Sequence, residues 1–191
     1  MTETSPLATV SGVKSTMTGL TGADRIATLA KQGLPAPFID IRAVNADGVC
    51  PNDGKTMGEL EVRGPWVASA YFQSESEQGK WTEDGWFRTG DVATIDSEGY
   101  MQITDRTKDL IKSGGEWISS VGLENALMSH PDIQESAVIA VPDPKWQERP
   151  LAVIVLKDGA SVTPESLRAH LAPKFPKWWL PDKFVFAKEI P

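Results

Sequence analysis

The chain has 191 residues, enough for one medium domain or two small ones. With 40% hydrophobic and 24% charged residues it reads as globular rather than disordered, and its net charge of −7 argues against a nucleic-acid partner, which needs a basic surface. The single cysteine, Cys50, excludes an internal disulfide and a cysteine-rich zinc site.

The opening residues, MTETSPLATVSG, have neither the basic start nor the apolar core of a signal peptide. No apolar run approaches the ~20 residues of a membrane helix, so no transmembrane segment and a cytoplasmic location are expected. Residues 1–37 are short on periodicity and rich in Thr, Ser and Gly. FIDIRAV (38–44) alternates as a strand, NADGV is a turn, and GELEVRG (58–64) is a second strand with Leu60 and Val62 on one face. PWVASAYF (65–72) is predicted as a short helix with Pro65 in its first turn. DVATID-SEG-YMQITD (91–105) has the form of a hairpin, two alternating runs around a glycine-containing turn.

After Asp105 the composition changes. SSVGLENALMSHP (119–131) predicts an amphipathic helix with a serine start and a proline stop. ESAVIAVPD (135–143) and RPLAVIVLK (149–157) are apolar, β-branched strands. TPESLRAHL (163–171) is a helix with Thr163 as cap and Pro164 in first position, and DKFVFAKEI (182–190) is a last strand. The fold class is therefore α+β: mainly strands and loops to about residue 104, then an α-β-β-α-β-like unit, with room for a short strand before its first helix.

Three stretches have residues suited to chemistry. In DGWFRTGD (84–91), glycines bracket a loop that ends in Asp91, an acceptor-only carboxylate able to take both hydroxyls of a ribose. On spacing alone, an ordinary turn with a capping Asp is favoured. In TDRTKDLIKSGGEWIS (104–119), Arg106 suits a phosphate or ribose oxygen, Lys108 and Lys112 lie four apart, and Gly114-Gly115 offers open backbone. A charged inter-domain linker is the competing reading, with which Trp117 sits badly. In MTETSP, Thr2 could donate to a phosphate and Glu3 could hold Mg²⁺, a cation that takes oxygen ligands; on residue types alone a frayed polar terminus is favoured. His130 and His170 read as structural or surface residues, and Trp178-Trp179 as packing residues that wedge a loop onto the core.

Taken in order, MTETSP, GELEVRGPWVASAYF, DGWFRTGDVATIDSEGYMQITDRTKDLIKSGGEWIS and LENALMSHPDIQESAVIAVPDPKWQERPLAVIVL resemble the adenylate-forming, AMP-binding superfamily, above all its medium- and long-chain fatty-acyl-CoA synthetases. The resemblance covers essentially the whole chain. It implies two half-reactions: a fatty acid attacks ATP to give an acyl-adenylate and pyrophosphate, and the CoA thiol then displaces AMP. It implies that residues 1–104 are the distal, β-rich part of the large adenylating domain and 105–191 the small mobile C-terminal domain without its last segment. ATP, Mg²⁺ and CoA are the implied cofactors and, with the fatty acid, the implied small-molecule partners. By the same resemblance Thr2 meets the adenylate phosphate, Glu3 holds Mg²⁺, Asp91 accepts the ribose diol and Arg106 contacts the ribose. Lys112 and Trp117 contact the nucleotide, Asp105 is the hinge, and Gly114, Gly115 and Glu116 line the CoA path.

The chain departs from the pattern in three ways. The phosphate loop expected upstream is absent, the catalytic lysine is expected beyond AKEIP (187–191), and Lys188 does not match it. A portion of a ligase is thus expected, with no catalytic residue assigned within it and an incomplete catalytic set of its own. Gly122 stands where the family has a glutamate that would complete a capping box with Ser119. The alternatives are an adenylating enzyme for an aryl or amino acid, and a non-catalytic module that keeps the fold.

Overall fold

Alternation of apolar and polar residues decides most of the first half. In the computed structural model, which describes residues 2–72 and 79–190, the chain divides into two units, Met1–Thr107 and Lys108–Pro191. The architecture is α+β. No helix among the described residues is long and apolar enough to cross a membrane.

In the first unit, β1 (Thr9–Val10) pairs antiparallel with β2 (Leu34–Pro35), and helix α1 (Gly22–Leu29) lies between them in sequence. The main sheet runs β4 (Gly48–Val49), β3 (Asp40–Asn45), β5 (Gly58–Arg63), β6 (Phe87–Ile95), β7 (Met101–Arg106), all neighbours antiparallel. Leu60 and Val62 of β5 are buried with Ala43, Ala93, Ile95 and Met101, so one sheet face is a core. The β6–β7 turn is held by Asp96, whose Oδ1 accepts from the amides of Glu98 and Tyr100, both at 2.9 Å. The Tyr100 hydroxyl donates to the Gly12 carbonyl at 2.8 Å and accepts from the Lys14 amide at 3.0 Å, which ties the N-terminal segment to this turn.

One sequence expectation fails here. Residues 65–72 are turn and irregular chain, not helix. Their polar groups bond to the N-terminal segment instead of to each other: the Ala68 amide donates to the Glu3 carbonyl at 2.8 Å, and Trp66 Nε1 to the Leu7 carbonyl at 3.0 Å. Residues 1–37 also contain the eight-residue helix α1, which buries no side chain although Ala23, Ile26 and Ala27 recur at helical spacing.

The second unit begins with a hairpin, β8 (Ile111–Ser113) and β9 (Glu116–Ile118). Gly114 and Gly115 are its two turn residues, with φ of +61° and +87°. Positive φ at both central positions is the conformation that matches strand twist in a two-residue hairpin, and glycine adopts it without strain. Helix α2 (Ser120–Met128) follows, capped by Ser119 Oγ, which accepts from the Gly122 amide at 3.0 Å. Strands β10 (Ile133–Asp143) and β11 (Gln147–Leu156) pair antiparallel over nearly their full length. Helix α3 (Pro164–Leu171) starts in a capping box between Thr163 and Ser166. Strand β12 (Lys183–Ala187) joins β11 in parallel. Leu123, Leu127, Leu167 and Leu171 of the two helices are buried against Val138, Ala152 and Ile154 of the sheet, which forms the core of this unit. His130 and His170 stack edge to face at 5.2 Å, and His170 Nε2 lies 3.0 Å from Ser129 Oγ, joining the ends of the two helices.

Candidate functional site

In the first unit the sheet register creates a charged pair. Asp91 of β6 and Arg106 of β7 are direct cross-strand partners, so their side chains share a face. Arg106 Nε lies 3.4 Å from Asp91 Oδ1. Asp91 is only 20% exposed, and this burial raises its carboxyl pKa above the usual Asp range, with the Arg106 guanidinium offsetting part of the effect. The approach to Asp91 is fixed from several sides. Its amide donates to Thr89 Oγ1 at 3.0 Å, Thr89 Oγ1 donates to the Leu60 carbonyl at 2.9 Å, and the Thr107 amide caps the Gly90 carbonyl at 2.9 Å. Trp86, upstream in the same loop, has the guanidinium groups of Arg42 and Arg63 over its ring, 4.2 and 4.5 Å from the centroid. Asp105 is buried next to this pair, and its Oδ1 accepts from the Arg106 amide at 2.7 Å. It lies inside β7, two residues before the division between the units.

Thr2 and Glu3 form a single 3-10 turn. Thr2 is exposed, and its carbonyl accepts from the Ser5 amide at 3.1 Å. Glu3 Oε1 accepts from the Tyr71 hydroxyl, which holds the Glu3 carboxyl below its usual pKa and therefore ionised at neutral pH. Tyr71 is braced in turn by Trp81, edge to face at 5.4 Å. No cluster of three or more acidic, His or Cys side chains suited to a metal occurs among the described residues. One ionised carboxylate is nevertheless what a nucleotide-borne Mg²⁺ needs, since this ion keeps several waters and takes most other ligands from phosphate. Glu3 fits that role.

The second unit has a groove of about 600 Å³ lined by Ser113, Gly114, Glu116, Trp146, Arg149, Lys177, Trp178 and Asp182, within the size range of small-molecule sites. The hairpin tip supplies one wall. The Gly114 amide donates to the Trp146 carbonyl at 2.8 Å, and a Cβ on Gly114 would stand 2.8 Å from Trp146 Cε3, so the indole lies where only glycine leaves room. Trp178 supplies the opposite kind of wall, 42% exposed, from the 3-10 turn Lys177–Trp179.

The expected residues thus fall into separate places. Asp91 and Arg106 meet, with Asp105 adjacent. Gly114 and Glu116 line the groove, and Gly115 shares the turn. Lys112 and Trp117 pair with each other across the hairpin, on the face that alternates away from Ser113 and Glu116. Trp146, Arg149 and Lys177 are groove residues that sequence reasoning did not single out, and Trp178, expected to pack on the core with Trp179, instead lines the groove. The two adjacent tryptophans divide their work: Trp179 stacks on Phe175 at 5.5 Å and packs on the core, whereas Trp178 faces the groove. The Pro-bounded KWWLP run was the available signal, since a loop with two large aromatics can bury one and present the other.

The AMP-binding enzyme C-terminal domain family matches residues 122–191. The chain is 52% identical over its whole length to a long-chain-fatty-acid–CoA ligase of Thermus thermophilus, of which it covers 36%. It is 42% identical to a medium-chain-fatty-acid–CoA ligase of Ectopseudomonas oleovorans, again over the whole chain and 35% of that protein. Among solved structures, the o-succinylbenzoate CoA synthetase of Bacillus subtilis in complex with ATP and magnesium ion matches with a TM-score of 0.78 and 30% identity, over all of this chain and 37% of that one. The chain spans about a third of the length of the curated relatives it matches.

Proposed function

The chain belongs to the AMP-binding, adenylate-forming enzymes, and on that premise we propose that it forms part of an ATP-dependent fatty-acid–CoA ligase. In that reaction a carboxylate oxygen attacks the α-phosphorus of ATP and the bond to pyrophosphate breaks. The CoA sulfur then attacks the acyl carbon, the bond to AMP breaks, and the thiol proton passes to solvent.

The observation that carries this reading is the groove of the second unit. Two indoles, a lysine and a glycine turn bound a space open to a flexible arm with an aromatic, anionic end, which is the chemistry of CoA. Trp146 and Trp178 offer stacking faces to a purine, Lys177 offers a charge to its phosphates, and the thin Gly114-Gly115 turn lets the pantetheine arm pass. The first unit supports the nucleotide side. Asp91 would accept the two ribose hydroxyls while Arg106 turns from its carboxylate to the ligand, and Thr2 would donate to the adenylate phosphate. Mg²⁺, when bound, supplies charge neutralisation on the phosphates, and Glu3 would hold it. Lys112 and Trp117 would meet the nucleotide from the hairpin's other face, and Asp105 would absorb the backbone rotation between the two half-reactions. The units correspond to the distal adenylating domain and the small C-terminal domain.

A graft tests this reading. Residues 1–191 replace the matching 36% of the Thermus thermophilus ligase, and AMP and acyl-CoA are followed with ATP, Mg²⁺, CoA and a long-chain fatty acid. The hybrid should form both, and Asp91→Ala within it should abolish AMP release. A folded hybrid that releases neither product overturns the proposal.

A further inference from the structure

Arg149 is 9% exposed and is the most heavily bonded side chain of the second unit among the described residues. A guanidinium has five N–H donors, and here five contacts use them. Nε donates to Asp182 Oδ2 at 2.8 Å, and Nη2 to Asp182 Oδ1 at 3.0 Å and to the Leu180 carbonyl at 3.2 Å. Nη1 donates to the Trp178 carbonyl at 2.6 Å and to Ser113 Oγ at 3.1 Å. The partners come from two separate segments. Trp178, Leu180 and Asp182 belong to the loop between α3 and β12, which carries the aromatic wall of the groove. Ser113 is the last residue of β8, adjacent to the glycine turn that forms the other wall.

We propose that Arg149 is a positioning residue for the groove, a latch that fastens the Trp178 loop to the Ser113–Gly115 turn and sets the distance between the two walls before any ligand arrives. The identity of the ligand rests on the ligase reading above; the latch itself does not. With its donors committed, Arg149 does not contact an anionic ligand, and Lys177 is left as the lining cation for that task. The carbonyls of Trp178 and Leu180 point inward to Arg149, so the loop turns the Trp178 ring outward to the groove. Lysine at this position retains the charge but has three donors in place of a planar fork, so it can hold Asp182 or the carbonyls but not the whole set. A network centred on a buried guanidinium fixes geometry because all its donors are engaged, and removing that centre takes the donor from several acceptors at once.

The test uses the 191-residue protein with R149M, R149K and D182N variants. Amide hydrogen exchange reads the latch directly. R149M should speed exchange in both 113–116 and 177–182, with R149K and D182N intermediate, while the β6–β7 ladder of the first unit is unchanged. Titration with CoA and with 3′-dephospho-CoA reads its use. R149M should weaken both by a similar factor, about tenfold, and leave AMP binding unaltered. If wild type binds no CoA, the ligase reading fails while the exchange result still decides the latch. If R149M does not fold, R149K and D182N carry the same comparison. Unchanged exchange in both segments overturns the proposal. So does a penalty that disappears with 3′-dephospho-CoA, because Arg149 would then be a direct phosphate contact.

Discussion

Asp91 and Arg106 face each other across the β6–β7 ladder, with 3.4 Å between Oδ1 and Nε. Each is the other's partner in the absence of ligand, so a nucleotide ribose would enter by taking over part of that pairing. The Asp91 carboxyl titrates above its ordinary value because burial disfavours the charge. For a carboxyl with a raised folded-state pKa, the stability it contributes is fully present below the unfolded value, near 3.9, and is lost as pH rises through the folded value. Asp91→Asn removes that loss. It should raise the melting temperature at pH 7, and the gain over wild type should vanish near pH 3. The same variant should lose AMP binding in a calorimetric titration, so that stability and binding move in opposite directions. A variant less stable at pH 7 would show that the Arg106 pairing outweighs desolvation.

Gly114 and Gly115 share one turn but differ in their surroundings. Both have positive φ, yet a Cβ on Gly114 would meet Trp146 at 2.8 Å, whereas nothing lies within 4 Å of one on Gly115. Gly115→Ala should therefore cost only the backbone strain, about 1 kcal/mol. Gly114→Ala adds a clash with an indole and should cost about 2–3 kcal/mol. The discriminating measurement is tryptophan fluorescence, whose emission should shift in Gly114→Ala and not in Gly115→Ala. CoA affinity should fall with the first variant and be little changed in the second.

Much of the fold was legible because its elements advertise themselves locally. Strands β5, β6, β10 and β11 alternate or run apolar, and α2 and α3 begin at Ser119 and Thr163, whose side chains do cap them. The elements that were missed lack such signals. Helix α1 is only eight residues long and buries no side chain. Residues 65–72 have helix-compatible composition, but the Ala68 amide and the Trp66 indole bond to the carbonyls of Glu3 and Leu7, a long-range choice that no window of sequence contains. The candidate site divides in the same way. Asp91, Arg106 and the double glycine stand out by residue type and order. Arg149 does not, since an arginine near a strand start is ordinary until β11 and the α3–β12 loop are brought together, and nothing in the Trp178-Trp179 pair says which of the two packs on the core and which faces the groove.

Gly122 occupies the third position of α2, where its amide donates to Ser119 Oγ. Half of a capping box is therefore present, and the reciprocal half, from a side chain at 122 to the Ser119 amide, has no counterpart in glycine. A Cβ there would lie 3.3 Å from Ser119 Oγ and 3.8 Å from Phe175, close but on the cap it would complete. Gly122→Glu should stabilise the protein by about 1 kcal/mol through helix propensity and the second cap bond. In a unit of this size that is a rise of roughly 4–8 °C. Gly122→Ala separates the terms, since it should recover only the propensity share.

The Arg149–Asp182 pair sets an acid limit on the groove. Arg149 hydrogen bonds hold the Asp182 carboxyl below its ordinary pKa. A depressed carboxyl contributes stability that is present above the unfolded value and lost as pH falls through the folded one. The pair should thus be intact across neutral and mildly acidic pH and open only below about pH 4. Because Asp182 is 52% exposed, the effect on global stability should be small. Hydrogen exchange in 177–182 is the sharper probe: it should accelerate below pH 4 relative to the intrinsic rate, and D182N should abolish that pH dependence.

Glu61 is a deeply buried carboxylate of the first unit, 2% exposed, and sits under two arginines. Its Oε2 lies 2.6 Å from Arg42 Nε and its Oε1 3.4 Å from Arg88 Nε. Arg42 also reaches Asp84 at 3.1 Å and covers the Trp86 ring, so Glu61 anchors the strand and the loop that lead into Asp91. Breaking a buried pair from one side leaves the other charge poorly compensated, at a typical cost of about 3–5 kcal/mol. Arg42 and Arg88 both retain some contact with solvent, which places Glu61→Ala near the lower end, about 3 kcal/mol. Glu61→Gln retains a hydrogen-bond acceptor of the same shape and should cost less, about 1–2 kcal/mol. Chemical denaturation of the two variants measures the difference. AMP affinity should fall in Glu61→Ala, because Arg42, once released from Glu61, no longer holds Trp86 against the sheet and the 84–91 loop loses its fixed approach to Asp91. Equal stability of the two variants would mean that Glu61 acts by filling space rather than by charge.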